Sequence, residues 1–445
     1  MSTTKKTSLP PGPRPLPVVG NMLQFSKDQL GYLEYLQRTY GNMATLYAGK
    51  TPIVQLFQPE HVRYILTENP RNFTNREIAE NLQKLIGDGL LTIDGDAHRQ
   101  QRRLVQPAFH RKRIENYAGI MVQHTEDMLS TWNTEHTLDM AREMQELTLR
   151  IVARCLFNVD LSKEVNELGQ AFTDMISNPV GMIEGMLGLR IDQPFTAYGR
   201  RMAAKRKVDA FIYNLIEQRR AEGGDRGDVL SMLLEDQGEE GNLNDTQVHD
   251  HIMTFVAAGH ETTSNALTWT FYLLSQHPQV REKLRNELNT VLGGRAPTLE
   301  DTPQLTYTEW VLNESMRMYP PAWVQGRKAI EAFELDGYSF PAGTMVMFSQ
   351  WILHRRPDIW GDPEVFRPER WEEGQKVPAW AYFPFGGGPR MCIGMPFAQL
   401  EAKLLLATIF QRYTPLIIPG SKKVELDPLI TLRPKDGMPM LLQMP

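Results

Sequence analysis

The sequence predicts a mainly α protein with a few strands near each end, and three observations carry that expectation. An unbroken helical pattern of roughly 33 residues runs from Asn244 to His277, enough to span about 50 Å. The segment Met43 to Leu56, broken at Gly49-Lys50, reads as a β-hairpin. Long helical patterns dominate the rest, with no internal repeat.

Taken in order, the chain opens on Leu9-Pro10-Pro11-Gly12-Pro13-Arg14-Pro15-Leu16-Pro17, where proline fixes φ and favours a stiff extended arm on the domain surface. Residues 1–20 form this leader, and 21–445 are expected to form one domain. No apolar run reaches about eighteen residues and no signal-peptide core precedes the prolines, so no membrane span is expected. In Asp94 to Arg103, His98 and Arg102 stand at i and i+4 on one helical face, placed to meet a carboxylate or to form a solvated basic face. The sequence holds two cysteines, and Cys155 sits in the apolar stretch Ile151 to Phe157 as a core thiol. No disulfide framework exists, which fits a reducing, cytoplasmic setting. A net charge of −5 leaves no global footprint for nucleic acid, and zinc-type cysteine and histidine spacing is missing.

The Gly- and acid-rich stretch from Ala221 to Asn244 brackets a short apolar helix and reads as a surface connection. Asn244, with Gln247 three residues on, starts the long helix and Pro278 marks its end. Its middle, Phe255 to Thr263, collects small and polar residues where packing favours large apolar ones. Gly259 costs about 1 kcal/mol relative to Ala, and Thr262 can turn its hydroxyl to the Ala258 carbonyl, opening a groove. Glu314 and Arg317 share a helix face that Pro320-Pro321 terminates. Cys392 lies in Phe385-Gly386-Gly387-Gly388-Pro389-Arg390-Met391-Cys392-Ile393-Gly394, ahead of a helix beginning near Met395-Pro396. Glycines that expose N–H groups and the positive end of a helix both favour a sulfur anion, an arrangement suited to a metal-bound thiolate.

The order Phe-x-x-Gly-x-Arg-x-Cys-x-Gly resembles the haem-binding loop of the cytochrome P-450 family, and Ala258-Gly259-His260-Glu261-Thr262-Thr263 matches that family's oxygen-activation motif. Phe366 to Trp371 is similar to the segment whose arginine joins the Glu-x-x-Arg pair, and the resemblance covers nearly the whole chain. It implies a cytochrome P-450 fold: a mainly α haem domain, triangular in outline, with a smaller β-rich part near the N-terminus. It makes Cys392 the axial ligand of haem b and gives Thr262 and Glu261 proton delivery to dioxygen. Glu314, Arg317 and Arg370 become a structural triad, with Arg356 altering a nearby surface charge. It assigns His98, Arg102, Arg327 and Arg390 to the haem propionates and adds Ala258, Phe385 and Gly394 as haem-binding residues.

The implied activity is that of a soluble, bacterial-type monooxygenase that places one atom of dioxygen in an apolar fatty acid, terpenoid or steroid-like substrate by hydroxylation or epoxidation. A peroxide-driven or rearranging haem-thiolate enzyme would not need Glu261 and Thr262, and a non-catalytic haem sensor would not explain the matched helix. Without a glycine-rich dinucleotide or flavin fingerprint, electrons are expected from a separate ferredoxin- or flavodoxin-type donor with its reductase. Arg99, Arg103, Arg111, Lys112, Arg113 and Lys403 form its expected docking face, or a solvated basic patch. Phe73, Ile78, Leu82, Leu85, Ile86 and Leu90, the stretch Phe172 to Leu189, Val256 to Ala258, Trp323-Val324, Ile430 and Leu432 are either pocket lining or ordinary core.

Overall fold

The computed structural model describes residues 9–161, 165–177, 191–235, 243–373 and 377–444. Its contacts divide into two compact units, Met1–Ala79 with Asn313–Cys392, and Glu80–Leu312 with Ile393–Pro445.

The first unit is built around a sheet. Strands β1 (Met43–Ala48) and β2 (Thr51–Leu56) form the expected hairpin, Met43 opposite Leu56 and Ala48 opposite Thr51. Gly49 turns between them at φ +61°, a left-handed conformation that glycine adopts without strain. β3 (Phe73–Thr74), β4 (Gln325–Ala329) and β5 (Met345–Phe348) complete the order β1-β2-β5-β4-β3. The β-rich part is therefore not N-terminal in sequence alone: β2 pairs in parallel with β5, almost three hundred residues on. An unpaired β2 edge would leave a row of backbone groups open, and β5 satisfies them. Val54, Leu56, Val346 and Phe348 join Phe73, Phe333 and Phe340 in the core beneath. The proline leader runs against β1, where Thr45 N donates to Pro11 O at 3.0 Å. A Cβ on Gly12 would stand 1.8 Å from the Thr45 carbonyl oxygen, so that approach requires glycine.

The second unit is mainly helical, with a three-stranded sheet of Thr137–Asp139, Pro439–Gln443 and Thr414–Ile417 and a two-stranded one of Leu426–Pro428 and Leu432–Pro434. Its main elements are α1 (Gly95–Val105), α2 (Met140–Phe157), α3 (Ala197–Glu222), α4 (Asp245–Gln276), most of α5 (Thr306–Met318) and α6 (Met395–Arg412). The connection before α4 carries the short helix Val229–Leu234, as its apolar run predicts. α4 starts in a full capping box: Asn244 Oδ1 accepts from Gln247 N at 2.9 Å, and Gln247 Oε1 accepts from Asn244 N at 3.0 Å. Pro278 both stops α4 and opens the next helix, Pro278–Leu292, because proline suits a first helical turn. α4 stays helical throughout, so the Thr262 back-bond does not break it. Gly259 serves packing. A Cβ there would lie 3.0 Å from Val152 Cγ2 of α2, and Thr148 Oγ1 donates to His260 O at 3.0 Å, so glycine admits the neighbouring helix. Among the described residues no helix is long and apolar enough to cross a membrane.

Candidate active site

The cysteine loop is shaped by contacts within the first unit. Gly386 and Gly388 adopt φ of +68° and +66°. A Cβ on Gly388 would stand 1.8 Å from Leu66 O, and one on Gly387 would stand 2.3 Å from the Trp380 ring. Cys392 N donates to Phe385 O at 3.0 Å and Met391 N to Gly388 O at 3.0 Å, closing the loop on itself. Cys392 is exposed, whereas Cys155 is buried in α2. Gly394 caps α6, so the Cys392 sulfur precedes a helix N-terminus by two residues, where unsatisfied N–H groups favour an anion.

Behind this loop stands a buried charge network. Glu314 receives Arg317 through both oxygens at 2.9 Å, Arg370 Nε at 3.1 Å, Arg367 N at 3.1 Å and Trp371 Nε1 at 3.1 Å. Arg317 and Glu314 are fully buried. Arg317 also donates to His354 O at 2.8 Å, and His354 Nε2 accepts from Phe383 N at 3.1 Å, two residues before Phe385. Burial, with Arg317 and Arg355 nearby, pushes the His354 pKa down to about 3, so its ring is neutral and can accept that bond. The network therefore props the strand of chain entering the cysteine loop. Sequence reasoning missed His354 as the strut, since a lone histidine carries no local signal. Arg356 is not the surface charge expected: it is buried, donating to Phe57 O at 2.6 Å and pairing with Asp358.

In the second unit, α4 is buried from Val248 to Phe271 except at Ala258, Gly259 and Thr262. Ala258 is exposed, and Thr262 Oγ1 donates to Ala258 O at 2.6 Å. Glu261 is buried and accepts from Thr431 Oγ1 at 2.8 Å, while Thr431 Oγ1 accepts from Asn265 Nδ2 at 3.0 Å. Thr431 lies between the singled-out Ile430 and Leu432, and its role was invisible because the pairing spans 170 residues. His98 is buried and Arg102 half-buried on α1. In the first unit Arg327 is buried on β4, donating to Gly326 O at 2.7 Å, and Arg390 is half-buried in the Gly388–Arg390 turn.

The apolar residues read as lining or core differ in their surroundings. Phe73 packs edge-on to Phe333 in the sheet core, at 5.1 Å between ring centroids. Leu432 is fully buried and Ile430 lies exposed, while residues 178–189 of the methionine-rich stretch are outside the described set. Of the basic patch, Lys403 is tied to Glu309 at 2.6 Å and Thr302 O at 3.1 Å, Arg99 pairs with Asp96, and Arg113 donates to Gly227 O at 3.0 Å. The Arg111 side chain is outside the described set, and Arg103 and Lys112 are exposed.

The family model for Cytochrome P450 matches residues 10–440. The chain belongs to the cytochrome P450 family. Among similar proteins, Cyclooctatin synthase of Streptomyces melanosporofaciens is 37% identical over 92% of this chain and 90% of that protein. Cyclooctat-9-en-7-ol 5-monooxygenase of the same organism is 34% identical, covering 94% of each chain. Pentalenene oxygenase of Streptomyces avermitilis is 33% identical, covering 92% of each. The structure titled retinoic acid bound cyanobacterial CYP120A1 matches with a TM-score of 0.86 at 26% identity, over 99% of this chain and 100% of that one. The protein is thus a P450 monooxygenase with the family's mainly α fold. The family implies haem held by a cysteine thiolate, and dioxygen, an organic substrate and a redox partner as co-reactants.

Proposed function

We propose that this P450 oxidises an apolar terpenoid, with Cys392 as the thiolate ligand of haem b. The observation that carries the reading is the exposed Ala258 and half-buried Thr262, a small methyl and a hydroxyl one turn apart on an otherwise buried helix. The relatives named for cyclooctatin, cyclooctat-9-en-7-ol and pentalenene support a terpenoid over a fatty acid or steroid. The donor set fits haem: Cys392 is an exposed thiol on a glycine-shaped loop before a helix N-terminus, and His98, Arg102, Arg327 and Arg390 are cations suited to its carboxylates. Bound haem thiolate supplies dioxygen cleavage, with one oxygen atom entering the substrate and the other leaving as water. Ala258 leaves room for substrate beside the helix. Thr262 Oγ1 donates to the Ala258 carbonyl, and rotation about χ1 would turn the intact O–H to the substrate side of the helix, where it can serve as a proton donor. Glu261, held by Thr431, would take up a proton from water and pass it on to the Thr262 oxygen, restoring the hydroxyl. Electrons come from a separate ferredoxin- or flavodoxin-type donor.

The test is a titration of the haem protein with pentalenene and other polycyclic terpenes, with lauric acid and testosterone as competing classes. Terpenes are expected to shift the haem absorption band and to yield hydroxylated or epoxidised products with reductant and dioxygen. A shift by the other classes alone would overturn the substrate assignment. Cys392→Ser is expected to abolish the red-shifted band of the reduced carbon monoxide complex, and its persistence would overturn the ligand assignment.

A further inference from the structure

Three elements of the helical unit meet at a buried histidine flanked by two carboxylates. His249 Nδ1 lies 2.9 Å from Asp250 Oδ1, and its Nε2 lies 3.1 Å from Asp209 Oδ1 of α3. His249 and Asp250 are buried, at 3% and 7% exposure. Tyr213 of α3 stacks on the imidazole, with centroids 4.4 Å apart and planes 11° from parallel. Lys205 of α3 donates to both oxygens of Asp209, at 2.8 Å to Oδ1, which His249 also faces, and at 2.7 Å to Oδ2. The other oxygen of Asp250 accepts from Asp88 N at 2.7 Å.

That last bond fastens a loop. Gly87 takes φ +77°, and a Cβ on it would stand 2.1 Å from the Asp250 carboxylate. A Cβ on Gly89 would stand 2.0 Å from Thr254 Oγ1. Thr92 Oγ1 donates to Gly87 O at 2.7 Å, so the loop closes on itself and is held to α4 as a unit. Asp250, Thr254, Ala258 and Thr262 follow one another at four-residue spacing, which places all four on one ridge of α4. The loop lies on the first two, a turn before Ala258.

We propose that Asp250 is the positioning residue that fastens the Gly87–Leu90 loop to the helix bearing Ala258 and Thr262, and that His249 makes the fastening pH-dependent. The reason is donor supply. A neutral imidazole has one N–H, and here both ring nitrogens face carboxylates, so only the doubly protonated ring serves Asp250 and Asp209 together. Desolvation opposes that charge, and the hydrogen bonds that the ring donates to Asp209 and Asp250 outweigh it, holding the His249 pKa above its ordinary 6.5. The stacked Tyr213 ring favours the cation further. The linkage is thus complete below the ordinary value and is lost as pH rises through the higher folded one. The adjacent His251 is buried with its pKa pushed down to about 4 by desolvation, so it stays neutral over that range. The loop's place as a wall of the substrate site rests on the reading of Ala258 and Thr262 given above, whereas the latch does not.

Hydrogen exchange on the haem-loaded protein, read as protection factors so that intrinsic rates cancel, tests the latch without any substrate. Protection at residues 88–93 is expected to fall roughly tenfold or more between about pH 6 and about pH 9. Asp209→Asn leaves one carboxylate for the neutral ring and is expected to keep the loop protected at both ends of the range. Asp250→Ala is expected to expose the loop at every pH, and Asp250→Asn, which retains an acceptor for Asp88 N, to restore protection without the pH dependence. Protection in the parent protein that does not change with pH, or a pH profile unaltered in Asp209→Asn, would overturn the proposal. Failure of terpenes to bind would leave this result intact and would count against the substrate reading alone.

Discussion

Thr262 holds its proton on a backbone carbonyl, and the value of that position lies in how little it costs to leave. A threonine hydroxyl bonded to its i−4 carbonyl contributes about 1 kcal/mol, so rotation of Oγ1 away from Ala258 O is accessible in each turnover. Thr262→Ala is expected to retain haem content and the carbon monoxide band while a larger share of reductant ends as peroxide. Measuring product formed per reductant consumed checks this, and an unchanged ratio would remove Thr262 from proton delivery. Glu314 is the opposite case, a charge that cannot be spared. Arg317 and Arg370 both depend on it, and Arg317 is fully buried. Glu314→Ala leaves uncompensated guanidinium charge in the interior, expected to cost about 3 to 5 kcal/mol by denaturant titration, with loss of haem from the expressed protein.

At the scale of elements, the cysteine loop is a backbone construction. Its shape depends on Gly388, whose left-handed φ and 1.8 Å clearance to Leu66 O exclude any side chain. Gly388→Ala is expected to displace the loop from Leu66 and to broaden or abolish the thiolate-type carbon monoxide band, although no polar group is lost. A normal band at normal haem content would show that the loop tolerates the shift. α4 shows how one element separates its duties: Asn244 and Gln247 start it, Gly259 admits α2, and the ridge through Asp250, Thr254, Ala258 and Thr262 carries the loop contact and the proposed proton delivery.

At the scale of the whole molecule, a net charge of −5 does not steer an acidic partner, so docking of an acidic ferredoxin depends on local cations. Arg103 and Lys112 of the expected docking face are exposed, which makes them the positions to reverse. Arg103→Glu with Lys112→Glu is expected to slow reduction by an acidic ferredoxin several-fold at low salt, with the difference shrinking as salt screens it, and to spare peroxide-supported turnover. Equal reduction rates at all ionic strengths would place the partner on another face.

Legibility followed the range of the interaction. The β1-β2 hairpin, the Asn244 capping box, the Thr262 back-bond and the Cys392 to Phe385 hydrogen bond are made by residues near one another in the chain, so a string of residue types was enough to reveal them. The sequence by itself determined these local geometries and, through its motifs, the family. Tertiary structure decided the rest. The His354 strut to Phe383 bridges 29 residues, the Asp88 bond to Asp250 bridges 162 and the Thr431 bond to Glu261 bridges 170. At such separations a polar residue looks the same in the sequence whether it meets water, a backbone N–H or another side chain. Only the packing of helices and loops, by removing water, selects which partner it must take.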